Sequence, residues 1–272
     1  MSKNDTSHTP KDSHYARLRR QHRDAKAEAE GPAEGLVLLY GLHTVRAAIG
    51  NPARRIRRLL ATRNALARLE LTDTDTLSFA VEMVEPKEID RLTGSDAVHQ
   101  GVLAEAEPLA PKPFSALGDT QLVLVLDQVT DPHNVGAIMR SAVAFQAGAL
   151  VTTARHSPSE SGVLAKAASG ALEHIDHIEV RNLSDALKQL QAEGYQTVGL
   201  DSDGPEVLED SFSGAKIALV LGAEGKGLRQ KTRDTVDRLA RLELGGEIRS
   251  LNVSNAAAVA MYAARRHLGG AG

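Results

Sequence analysis

The sequence predicts an α/β protein in which a C-terminal parallel sheet is preceded by a second, smaller α/β unit. Segments typical of strands and helices alternate along most of the 272 residues, which is the pattern of a parallel sheet with helices on both faces. A continuous apolar run, QLVLVLDQV, begins at residue 121, as in strands that are buried on both sides. Pro108, Pro111 and Pro113 lie just before it and indicate a linker between the two units.

The composition excludes several classes of protein. There is no cysteine, so neither a disulfide nor a catalytic thiol is available. No apolar run is long enough to span a bilayer, and the N-terminus lacks the apolar segment of a signal peptide, so we expect a cytoplasmic protein without a membrane contact. Because aromatic residues make up only 3%, a nucleic acid would have to be held by Arg and Lys, which cluster at 17–23 (RLRRQHR) and 54–58 (RRIRR).

The first unit is predicted at residues 35–107. Residues 1–34 are polar and charged without apolar periodicity, which favours a disordered or transiently helical tail over a specific RNA-binding arm. The predicted elements are then strand LVLLYG, helix HTVRAAIG, strand IRRLLAT, a helix near 64–69, strand VEMV, a helix near 87–92 and strand QGVLAEA. The linker covers residues 108–120.

The second unit is predicted at residues 121–269. After QLVLVLDQV come helix VGAIMRSAVAFQAG, strand ALVTTA, helix SGVLAKAASGAL, strand HIEV, helix SDALKQLQAEG, strands YQTVGL and KIALVLG, helix RDTVDRLA and strand RLEL. The last element is an alanine-rich helix, which is apolar nearly all round and therefore expected to be buried. Ser254 or Asn255 would be its N-cap, which leaves Ser250, Asn252 and the other of that pair unexplained.

Three loops of the second unit carry polar residues between a strand and a helix. They are DQVTDPHN after the first strand, LGAEGKGLR at 221–229 and LGGEIRSLNVS at 244–254. Because ligands of open parallel sheets bind beyond the carboxyl ends of the strands, we expect the three loops to converge on one site. Asn134 is placed to cap the helix that follows the first loop. Arg140, on the same apolar helix, either forms a structural ion pair or contacts a phosphate.

The glycine-rich loop at 221–229 does not fit the common phosphate-binding patterns. Gly227 follows Lys226, and Val220 stands where a Walker motif needs its first glycine. No G-x-G-x-x-G follows the first strand either, which disfavours a dinucleotide site. The glycines still allow backbone to approach a ligand closely, and Glu224 among them is more than a tight turn requires.

Metal and hydrolase chemistry have little support in the sequence. His174 and His177 lack a third ligand at suitable spacing, so we expect no metal site, although His133 in the first loop is placed to touch a substrate. There is no G-x-S-x-G, which argues against a nucleophilic serine.

The three loops, taken as a set, resemble the motifs of a known family. LDQVTDPHNVGAIMRSA, LVLGAEGKGLR and IRSLNVSNAAAVAMY resemble, in order and spacing, the three motifs of the SpoU-type RNA ribose methyltransferases, the TrmH family of the SPOUT class. LLYGLHTVRAAI and DAVHQGVLAEAEP resemble the substrate-binding domain of that family. The resemblance covers residues 36–268 and is most like the bacterial enzymes that methylate a guanosine ribose in large-subunit ribosomal RNA.

The resemblance implies a fold, a reaction and a set of residues. It implies a deep trefoil knot in the C-terminal sheet, a homodimer, RNA as substrate and S-adenosyl-L-methionine as methyl donor. The catalytic roles that it implies fall on Asn134, Arg140, Glu224, Ser250 and Asn252. The cofactor contacts that it implies fall on Gly222, Leu242, Leu251, Leu200, Ser202 and Ser254. Glu247 and Arg249 depart from the family, which often has uncharged residues there.

Arg140 is the residue whose implied role needs a physical qualification. Family proposals make this arginine remove the proton of the ribose hydroxyl, but an arginine side chain is effectively never deprotonated in proteins. We therefore expect Arg140 to bind a phosphate and to stabilise the developing alkoxide.

Two other functions stay open at this point. A catalytically silent RNA-binding homologue would keep the same fold, although Asn134, Arg140, Glu224 and Asn252 are all present. The same reaction on transfer RNA is the second alternative. Those relatives generally lack an N-terminal domain of the kind predicted at 36–106.

Overall fold

The computed structural model describes residues 33–71, 77–247 and 250–270. The predictions for the N-terminal tail, with its basic run at 17–23, and for Arg249 lie outside these residues. The described part of the chain forms two sheets, and none of its helices is both long and apolar enough to cross a membrane.

The smaller sheet has four strands in the order β1-β4-β2-β3. The strands are β1 (Val37–Tyr40), β2 (Ile56–Ala61), β3 (Ala80–Met83) and β4 (Val102–Ala106), and the helices are α1 (Leu42–Gly50), α2 (Arg63–Leu69) and α3 (Pro86–Thr93). Strands β2 and β3 are parallel, whereas β4 runs antiparallel to β1 and to β2. The elements predicted for this unit are confirmed to within two residues, the usual uncertainty of element ends.

The larger sheet has seven parallel strands in the order β7-β6-β5-β10-β8-β11-β9. Its strands are β5 (Leu122–Asp127), β6 (Ala149–Thr153), β7 (Asp176–Val180), β8 (Gln196–Leu200), β9 (Glu206–Val207), β10 (Ile217–Gly222) and β11 (Arg238–Arg241). Its helices are α4 (Pro132–Ala144), α5 (Gly162–Ala168), α6 (Leu183–Ala192), α7 (Leu208–Ser211), α8 (Gln230–Arg233) and α9 (Val253–Gly270).

The core lies on both faces of this sheet, as the apolar run at 121–129 predicts. Every residue of β5 is buried. Leu122, Leu124 and Leu126 belong to the cluster that includes α4 and α9, and Val123 and Val125 to the cluster that includes α6. Because side chains alternate along a strand, an apolar residue at each position means that helices cover both faces.

The stretch from 230 to 244 differs from its prediction. The helix RDTVDRLA and the strand RLEL are wrong: α8 ends at Arg233 and β11 begins at Arg238, inserted between β8 and β9. The Asp237 carboxylate accepts hydrogen bonds from the backbone N (2.8 Å) and Oγ1 (2.9 Å) of Thr197 at the start of β8. These contacts across the sheet outweigh the local helical pattern. The short elements β9 and α7 were not predicted.

Two helix predictions also need correction. The helix SGVLAKAASGAL ends at Ala168, because Ser169 (φ 52°) and Gly170 (φ 95°) take left-handed conformations. The alanine-rich helix α9 is not buried all round, since Val259 and Tyr262 are exposed. One face of α9 packs on α4 and β10, and the other faces outward.

Candidate active site

The three polar loops meet at the carboxyl edge of the larger sheet. Strands β5 and β10 are neighbours, with Asp127 paired to Gly222 at their ends, so the loops that follow them start side by side. The third loop follows β11 and leads into α9, which packs on α4 and β10. The expected convergence is therefore present in the structure.

A hydrogen-bond network joins one residue from each loop. Glu224 Oε1 accepts from Asn134 Nδ2 (3.2 Å), from Asn252 Nδ2 (2.5 Å) and from the backbone N of Val253 (3.2 Å). Asn252 Nδ2 also donates to Asn134 Oδ1 at 3.0 Å. A carboxylate that accepts several N–H donors fixes them strongly, so Glu224 holds both amides in one orientation.

The helix caps differ from those that the sequence suggests. The cap of α9 is Asn252, neither Ser254 nor Asn255, because Asn252 Oδ1 accepts from the backbone N (2.9 Å) and from Oγ (2.6 Å) of Ser254. The cap of α4 is Asp131, whose carboxylate accepts from His133 N at 3.0 Å. Asn134 lies inside the first turn of α4, so its side chain is free for Glu224.

The second loop is a tight turn whose glycines are needed. A Cβ at Gly222 would lie 2.2–2.4 Å from backbone atoms of Gly227 and Leu228, closer than any real contact. Gly227 N donates to Ala223 O at 2.8 Å, and Gly225 and Gly227 have positive φ. The loop therefore folds back over the end of β10 and presents Glu224 at its tip.

A cavity of about 480 Å³ lies between the second and third loops and the end of β8. The predicted residues that line it are Leu200, Ser202, Gly222, Glu224, Leu242, Ser250 and Leu251. Asn134, Asn252 and Ser254 are not in the lining but belong to the network at its rim. This cavity is therefore continuous with the Glu224 network.

The lining suits a ligand with an apolar ring, polar groups and charges of both signs. Leu200, Leu242 and Leu251 offer apolar surface, and backbone of the glycine-rich loop offers donors and acceptors. Asp203 and Glu224 add carboxylates to the wall, and Lys226 and Arg233 add cations. A nucleoside that carries a sulfonium and an amino acid group has this combination of properties.

Arg140 lies apart from the cavity. It is exposed on α4, about 9 Å beyond Asn134 along the helix axis, because six residues each rise ~1.5 Å. Its side chain makes no ion pair or hydrogen bond with any residue that the structure describes. The structural ion pair considered from the sequence is thus not formed within the described chain, and the guanidinium is available to an anion.

The histidines do not form a metal centre in the described ranges, where no three His, Asp or Glu residues are placed to hold an ion. His177 Nε2 is 2.8 Å from Thr152 Oγ1, and burial lowers the pKa of His177. His133 and His174 are exposed, and His133 lies in the first loop beside Asn134.

Most arginines of the basic run RRIRR form ion pairs with carboxylates of the same chain. Arg54 is paired with Glu160 and Glu173, Arg57 with Glu107, and Arg58 with Glu105 (2.7 Å) and Glu82 (3.6 Å). Among these arginines only Arg55 makes no ion pair with a described residue. Counting arginines in the sequence therefore overestimates the positive charge that this run offers to a nucleic acid.

Sequence reasoning missed the residues that anchor the loops. Asp127 is fully buried, and its carboxylate accepts from Arg229 N (3.0 Å) and Arg229 Nε (2.6 Å), which ties the end of the glycine-rich loop to β5. Asp201 pairs with Arg233 beside the cavity. An aspartate that ends a buried apolar strand is the available signal for Asp127, since an unpaired charge is costly there.

Two family descriptions match the chain. Residues 121–262 match the SpoU rRNA methylase family, and residues 38–112 match the substrate-binding domain of RNA 2′-O-ribose methyltransferases. The first match spans more than half of the chain and contains all three polar loops.

Similar curated proteins include the 23S rRNA (guanosine-2′-O-)-methyltransferases RlmB of Ralstonia nicotianae and Pseudomonas putida. The first is 36% identical over 236 residues, which cover 84% of this chain and 95% of that protein. The second is 34% identical over 242 residues, with coverages of 84% and 95%.

Solved structures share the fold over most of their length. The SpoU methyltransferase AviRb of Streptomyces viridochromogenes has a TM-score of 0.73 at 22% identity and covers 87% of this chain and 91% of its own. An AdoMet-bound rRNA methyltransferase of Sinorhizobium meliloti has a TM-score of 0.71 at 23% identity, with coverages of 92% and 91%. With the family match and the relatives above, these place the chain in the SpoU rRNA methylase family.

Proposed function

We propose that this protein transfers a methyl group from S-adenosyl-L-methionine to the 2′-hydroxyl of a guanosine ribose in 23S ribosomal RNA. The observation that carries the proposal is the network of Asn134, Glu224 and Asn252, which joins the three family motifs at the rim of the 480 Å³ cavity. The curated relatives named for this reaction add the RNA and the nucleotide.

The cavity residues are proposed to hold the cofactor. Leu200, Leu242 and Leu251 supply apolar surface for its base, and Gly222 supplies backbone at close range. Ser202 and Ser250 line the same wall, and Ser254 stands behind Asn252 at the start of α9, where backbone amides favour polar groups. When bound, S-adenosyl-L-methionine supplies an electrophilic methyl group on a positively charged sulfur.

The remaining chemistry belongs to side chains of this protein. A ribose hydroxyl is a poor nucleophile, so it must release its proton to solvent as it attacks and be held in line with the methyl carbon. We assign Arg140 to an RNA phosphate, since its guanidinium is exposed and unpaired within the described chain. Its position apart from the cavity does not support, within one chain, the expected contact with the hydroxyl oxygen. Glu224 orients Asn134 and Asn252 for contacts with the ribose.

The domain boundaries form part of the proposal. Residues 35–107 would bind RNA, 108–120 would link the units, and 121–269 would carry the methyltransferase site. The family matches at 38–112 and 121–262 support this division.

We further propose a homodimer, a trefoil knot in the second unit and a cytoplasmic location. The exposed Val259 and Tyr262 on α9, with Phe145 at 6.3 Å from Tyr262, form an apolar surface that suits a second copy. The path of the chain from β11, beyond β8, back to α9 against α4 and β10 is consistent with a knot. A crystal structure traced through residues 196–270 would test both the knot and the dimer.

The test of the function is mass spectrometry of ribosomal RNA from cells with and without the gene. We expect one ribose methylation on a 23S guanosine to disappear without the gene and to return with it. In vitro, the purified protein should label 23S transcripts from radioactive S-adenosyl-L-methionine. Label on transfer RNA alone would contradict the ribosomal substrate, and cofactor binding without transfer to any RNA would indicate the silent homologue.

A further inference from the structure

Arg54 is a buried arginine that binds two carboxylates. Its side chain has no exposed area, and those of Glu173 and Glu160 are 1% and 9% exposed. Arg54 Nη1 donates to Glu160 Oε1 and Nη2 donates to Glu173 Oε1, each at 2.6 Å. Arg54 Nε donates to Glu173 Oε1 at 3.1 Å and to Glu173 Oε2 at 3.3 Å, so the guanidinium contacts both oxygens of that carboxylate.

The cluster is satisfied on all sides. Glu173 Oε2 also accepts from Asn51 Nδ2 at 2.7 Å, and Glu160 Oε2 accepts from the backbone N of Leu109 at 2.8 Å. Arg54 Nη1 donates in addition to the carbonyl of Glu107 at 2.9 Å. Burial raises the pKa of Glu160, because water no longer stabilises the charged carboxylate. The positive charge of Arg54 opposes that rise.

The partners of Arg54 come from distant parts of the chain. Asn51 and Arg54 lie between α1 and β2 of the smaller sheet, and Glu107 and Leu109 lie just after β4. Glu160 precedes α5, and Glu173 ends the short turn after it, so both belong to the larger unit. One side chain thus ties the first unit, the connection and the second unit together.

Other contacts between the units are less specific. Leu39 and Val45 share one apolar cluster with Leu164 and Ala168, and apolar attraction is non-directional. The polar contacts away from Arg54 include Thr44 Oγ1 to Ala165 O at 3.2 Å, near the middle of α5. A buried charged network is different, because any shift leaves an unpaired charge in the protein interior.

We propose that Arg54 is a positioning residue that sets the angle between the RNA-binding unit and the methyltransferase unit. By setting that angle, it selects RNA in which the bound segment and the target ribose are separated by one fixed distance. The consequence for catalysis rests on the proposed function. The fixed angle between the two units does not depend on that function.

The angle is tested by distances between spin labels, which the cysteine-free chain makes simple. Exposed Arg91 on α3 and Lys188 on α6 would be replaced by cysteine and labelled. Pulsed electron resonance should give one narrow distance distribution in the parent and a broad or displaced one in Arg54→Met. A matched control is Arg57→Ala, which removes an exposed pair of the same basic run and should leave the distribution narrow.

A second variant guards against loss of folding. Glu160→Gln removes one charge but keeps the shape of the side chain, so this variant should fold even if Arg54→Met does not. Because it removes one carboxylate partner of Arg54, it should still broaden the distance distribution. A broad distribution in the parent, or an unchanged narrow one in a folded Arg54→Met or Glu160→Gln, would overturn the proposal.

The kinetic readout separates positioning from structure. Arg54→Met should bind S-adenosyl-L-methionine as the parent does, while kcat/KM for a long 23S fragment falls roughly tenfold to a hundredfold, since misplacement by about 1 Å has costs of that order. Arg54→Lys should not restore it, because an ammonium does not bind a carboxylate bidentately. Unchanged kcat/KM in the variant contradicts the positioning role; an inactive parent with narrow distances contradicts only the proposed function.

Discussion

One oxygen of Glu224 holds the candidate site together at the scale of single residues. Its Oε1 accepts from Asn134, Asn252 and the backbone of Val253, which is the first residue of α9. The position is favourable for a carboxylate, because the positive end of a helix dipole faces it. Glu224 therefore links the start of α4 to the start of α9, and neither amide can turn without breaking a charged hydrogen bond.

Arg140→Ala should abolish methyl transfer and spare cofactor binding. The guanidinium lies outside the cavity lining, so its loss removes the contact with RNA and leaves the walls of the cavity intact. The measurements are single-turnover transfer to 23S transcripts and titration calorimetry with S-adenosyl-L-methionine. The matched control is Lys188→Ala, an exposed cation on α6, and near-normal turnover in Arg140→Ala would sink the assignment.

The residues named from the sequence differ in what made them visible. Glu224 stands out because a tight turn does not need a carboxylate at that position. Asn252 was singled out because Ser254 or Asn255 was expected to be the cap of α9, whereas Asn252 is itself the cap and also donates to Glu224. Asp127 was missed although it is fully buried, because its partner Arg229 is distant in sequence and only the pairing of β5 with β10 brings the two together. Local patterns reveal which loops carry polar groups, but the contacts between loops come from strand order.

The glycine-rich loop is the element whose shape the cavity depends on. Gly222→Ala should weaken binding of S-adenosyl-L-methionine at least tenfold, because a methyl group there would overlap the backbone of Gly227 and Leu228 and push the loop outward. Calorimetry measures the affinity. Gly245→Ala is the control, since a methyl group at Gly245 meets no atom within 4 Å. Equal affinity in both variants would show that the loop does not shape the binding site.

His177 in strand β7 should make the stability of the protein depend on pH. Burial depresses the pKa of His177 in the folded protein, an effect that Glu179 partly offsets, while the unfolded chain has an ordinary value of about 6.5. The unfolded chain therefore takes up a proton first as the pH falls, so the free energy of unfolding decreases below about pH 6.5.

Urea unfolding at about pH 7.5 and about pH 5.5 should reveal the contribution of His177 to the free energy of unfolding. In His177→Gln the difference between the two free energies of unfolding should be smaller than in the parent, whereas the exposed His174→Gln should retain it. An equal difference in the parent and in His177→Gln would rule out the contribution of this histidine.

Strand β11 is an element that the sequence does not predict correctly. RLAR is neither alternating nor strongly apolar, and Ala240 alone among its residues is buried. Its strand conformation depends on neighbours, since it is paired with β8 on one side and β9 on the other. The strands of β5 and β10 were predictable because burial on both faces requires an apolar residue at each position.

At the scale of the whole molecule, the outward face of α9 predicts how copies associate. Val259 and Tyr262 are 44% and 57% exposed and lie three residues apart, so they share one face of the helix. Val259→Glu and Tyr262→Glu should convert a dimer into a monomer in sedimentation velocity, because a carboxylate in an apolar interface is costly. Lys188→Glu on α6 should remain dimeric; a monomeric parent would contradict the proposed dimer.

The close approach of α4 and α5 has a consequence for how such sequences diverge. A side chain at Gly136 would meet Leu164 O at 2.5 Å, Ala167 Cβ at 2.7 Å and Ala168 N at 2.9 Å. Helix α4 carries both Asn134 and Arg140, so enlarging residue 136 or 167 would move the polar residues without replacing either of them. A homologue with every polar motif residue intact but a bulky side chain at 136 is therefore expected to have lost the reaction. Two small apolar positions would then be a better marker of activity than the motif itself.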